Sequence, residues 1–547
     1  MDNIEDIYTN ILSKFDAVNI SSVEMKGRVL KALFSVDDLD FTLLMIPEEN
    51  SSNMPLIIVR NTEKPLPHFL LREEVLGGEK YRSICLYERE HYILHHSTVE
   101  EKITFCISQL LRLLRLSNSE IETEYQKEFL YYWQSFVNDP KRYDLYLDES
   151  SSFNPLDIYK IKDSHLCLLH PNIVVNSHCK KKWQAIGDKD VFYFNIQDVS
   201  GIVPPHNQNV WDIEKVLDIL DNKQIQRISY EAYKFLTELS YSKKSVVIVF
   251  KLNKFVFGCE VYFKNKGTAK LIVKLKNNTD SVKLLDINRC DYLHLNEQIG
   301  NDTAAVHKKI AIVGAGSLGS YIATEIVKSG IKNIVLIDND DFEANNLFRH
   351  RLDFSSIDCN KAMAMAVDFN FFSHPEIIIT PINKSVDANN ILDILPDDLD
   401  LVIFAVGRSD IQIMCNRVLK KTGYKTPVLY SWLEGDGKHG HVLGIDYSID
   451  GCFECLFTDE AGCTVKNKLH ASTDEDVTII RDGCGGVRVA YGNAILLQTT
   501  ALVLSAVRYI LSDGITENFA YSVSNNTFDK IGNSFYERSC RCCNDSN

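Results

Sequence analysis

Four cysteines carry the first chemical signal. Cys452-Phe-Glu-Cys455 and Cys540-Arg-Cys-Cys543 are C-x-x-C knuckles separated by 84 residues. Each tight turn aims two sulfurs at one point, and four thiolates suit tetrahedral zinc. A second knuckle is redundant for disulfide exchange, so structural zinc is the chemistry expected. Cys542 sits inside the second knuckle, where Cys540 and Cys543 keep the usual spacing. The glycines of Ile310-Ala-Ile-Val-Gly314-Ala-Gly316-Ser-Leu-Gly319 form a second signal. Gly314 permits a tight turn, Gly316 lets backbone approach phosphate, and Gly319 lets a helix pack closely on a strand, while the helix start offers N–H groups to an anion. Asp338, closing the apolar run Asn333 to Ile337, can bind ribose hydroxyls. A dinucleotide-binding dehydrogenase would show the same fingerprint. Beyond it stand Asn346, Arg349 and Lys361, an amide, a guanidinium and an ammonium that a nicotinamide does not need. A triphosphate does, because charge builds on its oxygens during transfer at the α-phosphorus.

Two further thiols stand apart from the knuckles. Cys484 lies in Arg481-Asp-Gly483-Cys484-Gly485-Gly486, just before a long apolar helical stretch from Asn493 to Leu511. Glycines open the backbone there, and Arg481, Arg488 and a helix start favour thiolate over thiol, which is a nucleophile's setting. The plainer reading is a small buried cysteine beside a glycine turn, with Cys463 the nearest rival nucleophile. Cys85, in Tyr81-Arg-Ser-Ile-Cys85-Leu-Tyr87, follows an extended Pro- and His-rich stretch. Taken alone, it reads as a core residue of an apolar strand. His91, His95 and His96 read as surface or packing histidines.

These residues need several scaffolds. At roughly 100 to 200 residues per domain, 547 residues imply about three or four domains. The first, residues 1–147, shows a helical pattern (Ile4 to Phe15), strand-like runs (Val29 to Phe34, Phe41 to Ile46, Leu56 to Arg60), a Pro-rich turn at Pro65 to Pro67 and an amphipathic helix (Thr98 to Leu116), an α+β reading. The polar stretch Asp148 to Pro155 reads as a linker. Residues 148–289 form a middle domain of mixed strands (Val246 to Phe250, Val256 to Phe263, Ala269 to Leu275) and helices near Ile213 to Leu220 and Tyr230 to Leu239. From residue 290 to 547 the repeated order of strand, glycine turn, helix and strand predicts a doubly wound, Rossmann-like parallel sheet. Apolar content of 45% and charged content of 24% are ordinary for globular chains. A net charge of -15 lacks the basic surplus of a nucleic-acid binder. The acidic start, Met1-Asp-Asn-Ile-Glu-Asp, has no signal-like pattern, so a reducing, cytoplasmic setting is expected. The most apolar stretch, Ala494 to Leu511, is interrupted by Gln498, Thr499, Thr500, Ser505 and Arg508, so no membrane span is expected.

The segment from about Arg289 to Asn547 resembles the adenylation domain shared by ubiquitin-activating enzymes and bacterial sulfur-carrier activators, the ThiF/MoeB-like family. The resemblance implies ATP and Mg2+ as cofactors, with Asp338 on ribose and Asn346, Arg349 and Lys361 on phosphates. It also implies that a partner's carboxy-terminal glycine attacks ATP to give an acyl-adenylate. Where the family usually places a magnesium aspartate, this chain has Gly407, and Asp410, three residues on, is the candidate replacement. Such activators often carry a cysteine zinc site, which would staple the tail. By position Cys484 matches the cysteine that takes the acyl group as a thioester. The order helix, meander, Ser-Ile-Cys85-Leu, helix resembles a ubiquitin-conjugating enzyme, whose cysteine then receives that group; the usual His-Pro-Asn triplet is absent before Cys85, and Ile93 stands where a tryptophan is usual.

Together the regions resemble the fused activating and conjugating enzyme of CBASS antiphage operons. That family implies a homodimer and an activated partner that is a cGAS-like nucleotidyltransferase or, in related fusions, a ubiquitin-like protein, joined in the end to a target amine. Three other readings stay open: a sulfur-carrier activator, which needs no comparable amino-terminal extension; a non-catalytic scaffold; and an NAD-dependent oxidoreductase, for which no hydride-transfer base is evident.

Overall fold

In a computed structural model, the described residues are 4–47, 54–60, 67–76, 79–86, 98–150, 152–206, 210–222, 224–471, 479–481, 487–489, 491–524, 527–532, 534–540 and 543. The chain divides into two compact units, residues 1–171 with 185–289, and residues 172–184 with 290–547.

The first unit opens with helix α1 (Ile4–Leu12) and strands β1 (Asn19–Lys26), β2 (Val29–Val36), β3 (Leu39–Met45), β4 (Leu56–Arg60), β5 (Phe69–Leu76) and β6 (Glu79–Ile84). These form one antiparallel sheet in the order β1-β2-β3-β4-β6-β5. Strict alternation along β2 sends Leu30, Ala32, Phe34 and Val36 to the core. Helix α2 (Val99–Leu114) covers that face with Ile103, Cys106, Ile107 and Leu110. It starts where Thr98 and Glu101 cap each other's backbone N–H groups.

Two readings need correction in the next stretch. Helices α3 (Asn118–Lys127) and α4 (Phe129–Phe136) lead to β7 (Arg142–Tyr146), and the polar run read as a linker passes at Phe153 into β8 (Phe153–Lys162). With β9 (His165–Leu169), β10 (Asp190–Asn195), β11 (Ser245–Leu252), β12 (Phe255–Phe263) and β13 (Thr279–Arg289), these strands build a sheet in which β8 pairs with both β10 and β9, so it closes on itself. Phe129 and Trp133 of α4 are buried in its core, and the Trp133 indole N–H donates to the Leu285 carbonyl at 3.0 Å. The run Ala269 to Leu275, read as a strand, is helical from Leu271 to Asn278. Leu271, Ile272 and Leu275 recur on one helical face there, and burial of that face decides the conformation.

The second unit holds the doubly wound sheet. Strands β14 (Lys309–Val313), β15 (Asn333–Ile337), β16 (Ile378–Ile382), β17 (Leu401–Phe404) and β18 (Val428–Leu433) run parallel in the order β16-β15-β14-β17-β18. Strands β19 (His439–Ile445), β20 (Phe519–Ser524) and β21 (Thr527–Gly532) extend it antiparallel. The strand order reverses between the parallel neighbours β14 and β17, and the loops leaving the carboxyl ends of these strands form the crevice where such sheets bind ligands. Helices α5 (Ser317–Lys328), α6 (Lys361–Phe372), α7 (Ser409–Lys421) and α8 (Asn493–Asp513) flank the sheet. Among the described residues α8 is long and apolar enough to span a membrane, yet Ile495, Leu496, Val503 and Ala506 lie in the core beside α5 and β19.

Candidate functional site

The loop after β14 is built from close backbone approaches. Gly314 adopts φ +96°, and a Cβ there would meet the Ala405 carbonyl oxygen at 2.8 Å. A Cβ on Gly319 would stand 1.8 Å from the Gly314 carbonyl oxygen, so the first turn of α5 sits directly on the glycine turn. Around Gly316, which caps α5, such an atom would find nothing within 4 Å. That open side faces a cavity of about 260 Å³ lined by Gly314, Gly316, Asp338, Asp340, Lys384 and Arg408, among others.

Asp338 leaves the end of β15 and turns back to this loop. Its carboxylate accepts the Ala315 N–H at 2.6 Å and the Asp340 N–H at 2.8 Å. Burial pushes its pKa up, against those two N–H groups and Lys361, which pull it down. Lys361, the first residue of α6, is buried and reaches Asp340 with Nζ 3.1 Å from Oδ2. Asn360, just before it, caps α6 through Met363 N–H and donates to the carbonyls of Asp338 and Asp340.

Asn346 and Arg349 lie on the neighbouring loop and are not among the lining residues. The Asn346 side chain is buried and closes a turn through the Glu343 N–H. Arg349 Nε is buried without a hydrogen-bond partner among the described residues. Sequence reasoning missed the residue that joins this loop to the glycine turn. His350 Nδ1 accepts the Leu352 N–H, which leaves Nε2–H to donate to the Ala315 carbonyl at 2.6 Å. Burial drives its pKa down to about 4, so the ring is neutral. The pattern Arg349-His350 was visible, but nothing in it told a tie from a solvent-exposed histidine. The Phe348 carbonyl on this loop accepts from Asn493 Nδ2 at 3.1 Å, at the start of α8.

Asp410 is not among the lining residues either. It stands on the first turn of α7 and forms a two-point pair with Arg408, whose Nη2 is 2.6 Å from Oδ2. Gly407, preceding that pair, takes φ +69°.

The four knuckle cysteines converge. Cys452, Cys455, Cys540 and Cys543 place their sulfurs within 4.8 Å of one another, with Cys452 to Cys455 at 3.9 Å, Cys452 to Cys540 at 3.8 Å and Cys455 to Cys543 at 3.4 Å. Tetrahedral zinc with bonds near 2.3 Å separates its sulfurs by about 3.8 Å, so the cluster fits that ion. Contact with Cys452 above all holds the Cys540 thiol low and the Cys543 thiol high, as when one thiolate accepts from its neighbours.

Of the two candidate nucleophiles, Cys484 lies outside the described residues. Cys85 follows β6 and is exposed. Its N–H donates to the His68 carbonyl at 2.8 Å, and His68 itself takes φ +67°. The His68 ring sits between Glu124 and Glu128, each 3.1 Å away, and the His68 backbone N–H donates to the Tyr132 hydroxyl at 2.6 Å. Burial would lower the His68 pKa, but Glu128 and Glu124 outweigh it and raise it.

Residues 297–545 match the model of the ThiF family. The ATP-dependent ubiquitin transferase-like protein Cap2 of Pseudomonas aeruginosa is 24% identical over 331 residues, 58% of each chain. The adenylyltransferase and sulfurtransferase UBA4 of Lodderomyces elongisporus is 27% identical over 39% of this chain and 42% of its own. The chain thus spans about half the length of these curated relatives. The crystal structure of E. coli MccB aligns with a TM-score of 0.35 at 17% identity, over 46% of this chain and 68% of that one. The chain carries a ThiF-family domain over residues 297–545 and is related to the Cap2 proteins.

Proposed function

We propose that the chain is an ATP-dependent activating and conjugating enzyme of the CBASS type. The observation that carries this is the cavity at the strand-order reversal, where an open glycine turn, the half-buried Asp338 and the cations Lys384 and Arg408 meet, with Lys361 beside the lining residue Asp340, within a ThiF-family domain. ATP binds there, with Asp338 on the ribose and the amides around Gly316, Lys361, Asn346 and Arg349 on the phosphates. The unpartnered Arg349 Nε supports a phosphate role, because a buried donor without an acceptor costs about 1 to 3 kcal/mol. Magnesium would be held by the triphosphate and by Asp410 once Arg408 turns to phosphate, and it supplies charge neutralisation there.

The carboxylate of a partner's terminal glycine attacks the α-phosphorus, the bond to the bridging oxygen breaks, and pyrophosphate leaves. The Cys484 thiolate attacks the acyl-adenylate and AMP leaves. The Cys85 thiolate then takes the acyl group, returning Cys484 as thiolate, and a target amine displaces Cys85 to form an amide. Each step offers a good leaving group. The partner is a cGAS-like nucleotidyltransferase or a ubiquitin-like protein with a terminal glycine, and the enzyme is a cytoplasmic homodimer. Zinc in the four-cysteine cluster is structural.

The test supplies ATP and a glycine-ended partner to the full chain. Cys484→Ala should keep ATP-dependent pyrophosphate exchange and lose the thiol-sensitive adduct. Cys85→Ala should keep the adduct on Cys484 and lose conjugate. Equal loss of exchange and adduct in Cys484→Ala contradicts its role. The similarity to UBA4 favours one rival, activation of a sulfur carrier, in which Cys85→Ala would leave all product formation intact.

A further inference from the structure

The hairpin joining β18 to β19 gathers carboxylates and histidines that the nucleotide site does not use. Glu434 and Asp436 are buried, their side chains 2% and 1% exposed. Glu434 Oε1 lies 2.6 Å from His441 Nε2 and accepts the Ala471 N–H at 2.9 Å, while Oε2 lies 2.9 Å from His470 Nδ1. Asp436 Oδ2 lies 2.6 Å from His439 Nδ1, and Oδ1 accepts the Lys438 N–H at 2.8 Å. His441 is fixed from its other side by Ser522 Oγ at 2.7 Å. One ligand atom from each of Glu434, Asp436 and His439 lies within 4.8 Å of the others.

Two carboxylates taken out of water this close together need compensation. Carboxylate oxygen and imidazole nitrogen are the donor set of a first-row divalent cation. An ion about 2.0 to 2.2 Å from three such atoms sets them roughly 3 to 3.5 Å apart, inside the spread seen here. His441 on Oε1 and His470 on Oε2 hold Glu434 in a fixed orientation, as hydrogen bonds hold a ligating carboxylate. The hairpin leaves β18 at the edge of the sheet where β14, β15 and β17 also end. We propose that Glu434, Asp436 and His439 form a second cation site, distinct from the four-cysteine cluster in its oxygen and nitrogen donors and taking a first-row divalent ion of the Mn2+ class. The ion would brace the hairpin turn against Ala471. This site does not depend on the acyl-transfer reading.

The full chain, free of nucleotide and with zinc in its cysteine cluster, is titrated with Mn2+ while unbound ion is followed by electron paramagnetic resonance. Mn2+ prefers oxygen and nitrogen to thiolate, so it leaves the zinc in place. Saturable binding of about one Mn2+ per chain is expected, weakened at least about tenfold in His439→Ala and in Asp436→Asn. Retained zinc in each variant, measured by elemental analysis, shows that the fold persists. Absence of saturable Mn2+ binding to the unaltered chain, or binding undiminished in both folded variants, overturns the proposal.

Discussion

Replacing Gly319 by alanine tests the seat of the nucleotide loop directly. The new Cβ would lie 1.8 Å from the Gly314 carbonyl oxygen and 2.9 Å from its carbon, where ordinary contact begins near 3.4 Å. Neither neighbour is a side chain that can rotate away. The first turn of α5 must therefore retreat by about 1.6 Å from the glycine turn. Overpacking of this kind costs typically about 1 to 3 kcal/mol, and at roughly 2 to 4 °C per kcal/mol the melting temperature should fall by about 2 to 12 °C. A displacement near 1 Å at a binding site can remove about a hundredfold of activity, so ATP-dependent exchange should drop by at least that. Gly316→Ala is the matched control. Its Cβ meets nothing within 4 Å, so melting should stay within about 1 °C while ATP affinity, read by calorimetry, falls because the methyl occupies the phosphate's approach. Wild-type melting and wild-type ATP affinity in Gly319→Ala would refute the packing argument. Full affinity in Gly316→Ala would move the phosphates elsewhere.

Lys361→Met removes a buried cation beside Asp340 and should weaken ATP binding by about 10- to 100-fold, the value of a charge-assisted hydrogen bond, with little change in melting; unchanged affinity would remove Lys361 from the phosphate site. His350 has its pKa depressed from 6.5 to about 4, so the unfolded chain binds the extra proton first as pH falls. Stability should thus be full above pH 6.5 and decline by roughly 3 kcal/mol towards pH 4. Denaturant titrations of His350→Gln should show a shallower decline over that range, and an identical slope would exclude His350 as its source. Cys540→Ser should lose one equivalent of zinc and destabilise the chain by on the order of 4 kcal/mol, by the loop-closure argument used for cross-links of this span; undiminished zinc would show that the cluster holds none.

The doubly wound unit was legible because its signals are local. Apolar runs end in glycine turns, and β14, β15 and β17 occur where those runs stand. The first half of the chain was harder to read because its decisive contacts are distant in sequence. Residues 148–155 are polar and look like a boundary, yet β8 begins among them because Phe153 and Leu156 find partners on β10. Leu271 to Leu275 could pass for a strand until the helical face they share is buried. At the nucleotide site, glycines and Asp338 were readable from spacing. The pairings of Asp340 with Lys361 and of His350 with the Ala315 carbonyl were not, since each joins loops whose approach depends on the sheet between them.

The hydrogen bond from Asn493 to the Phe348 carbonyl has a mechanical meaning. Any ligand that redraws the loop bearing Asn346 and Arg349 must either carry the leading end of α8 along or sever that tether. A single neutral hydrogen bond is worth about 0.5 to 1.5 kcal/mol, so the two motions are geared together by at most roughly a tenfold bias. Nucleotide occupancy would then tilt, without dictating, the posture of the longest helix in the second unit.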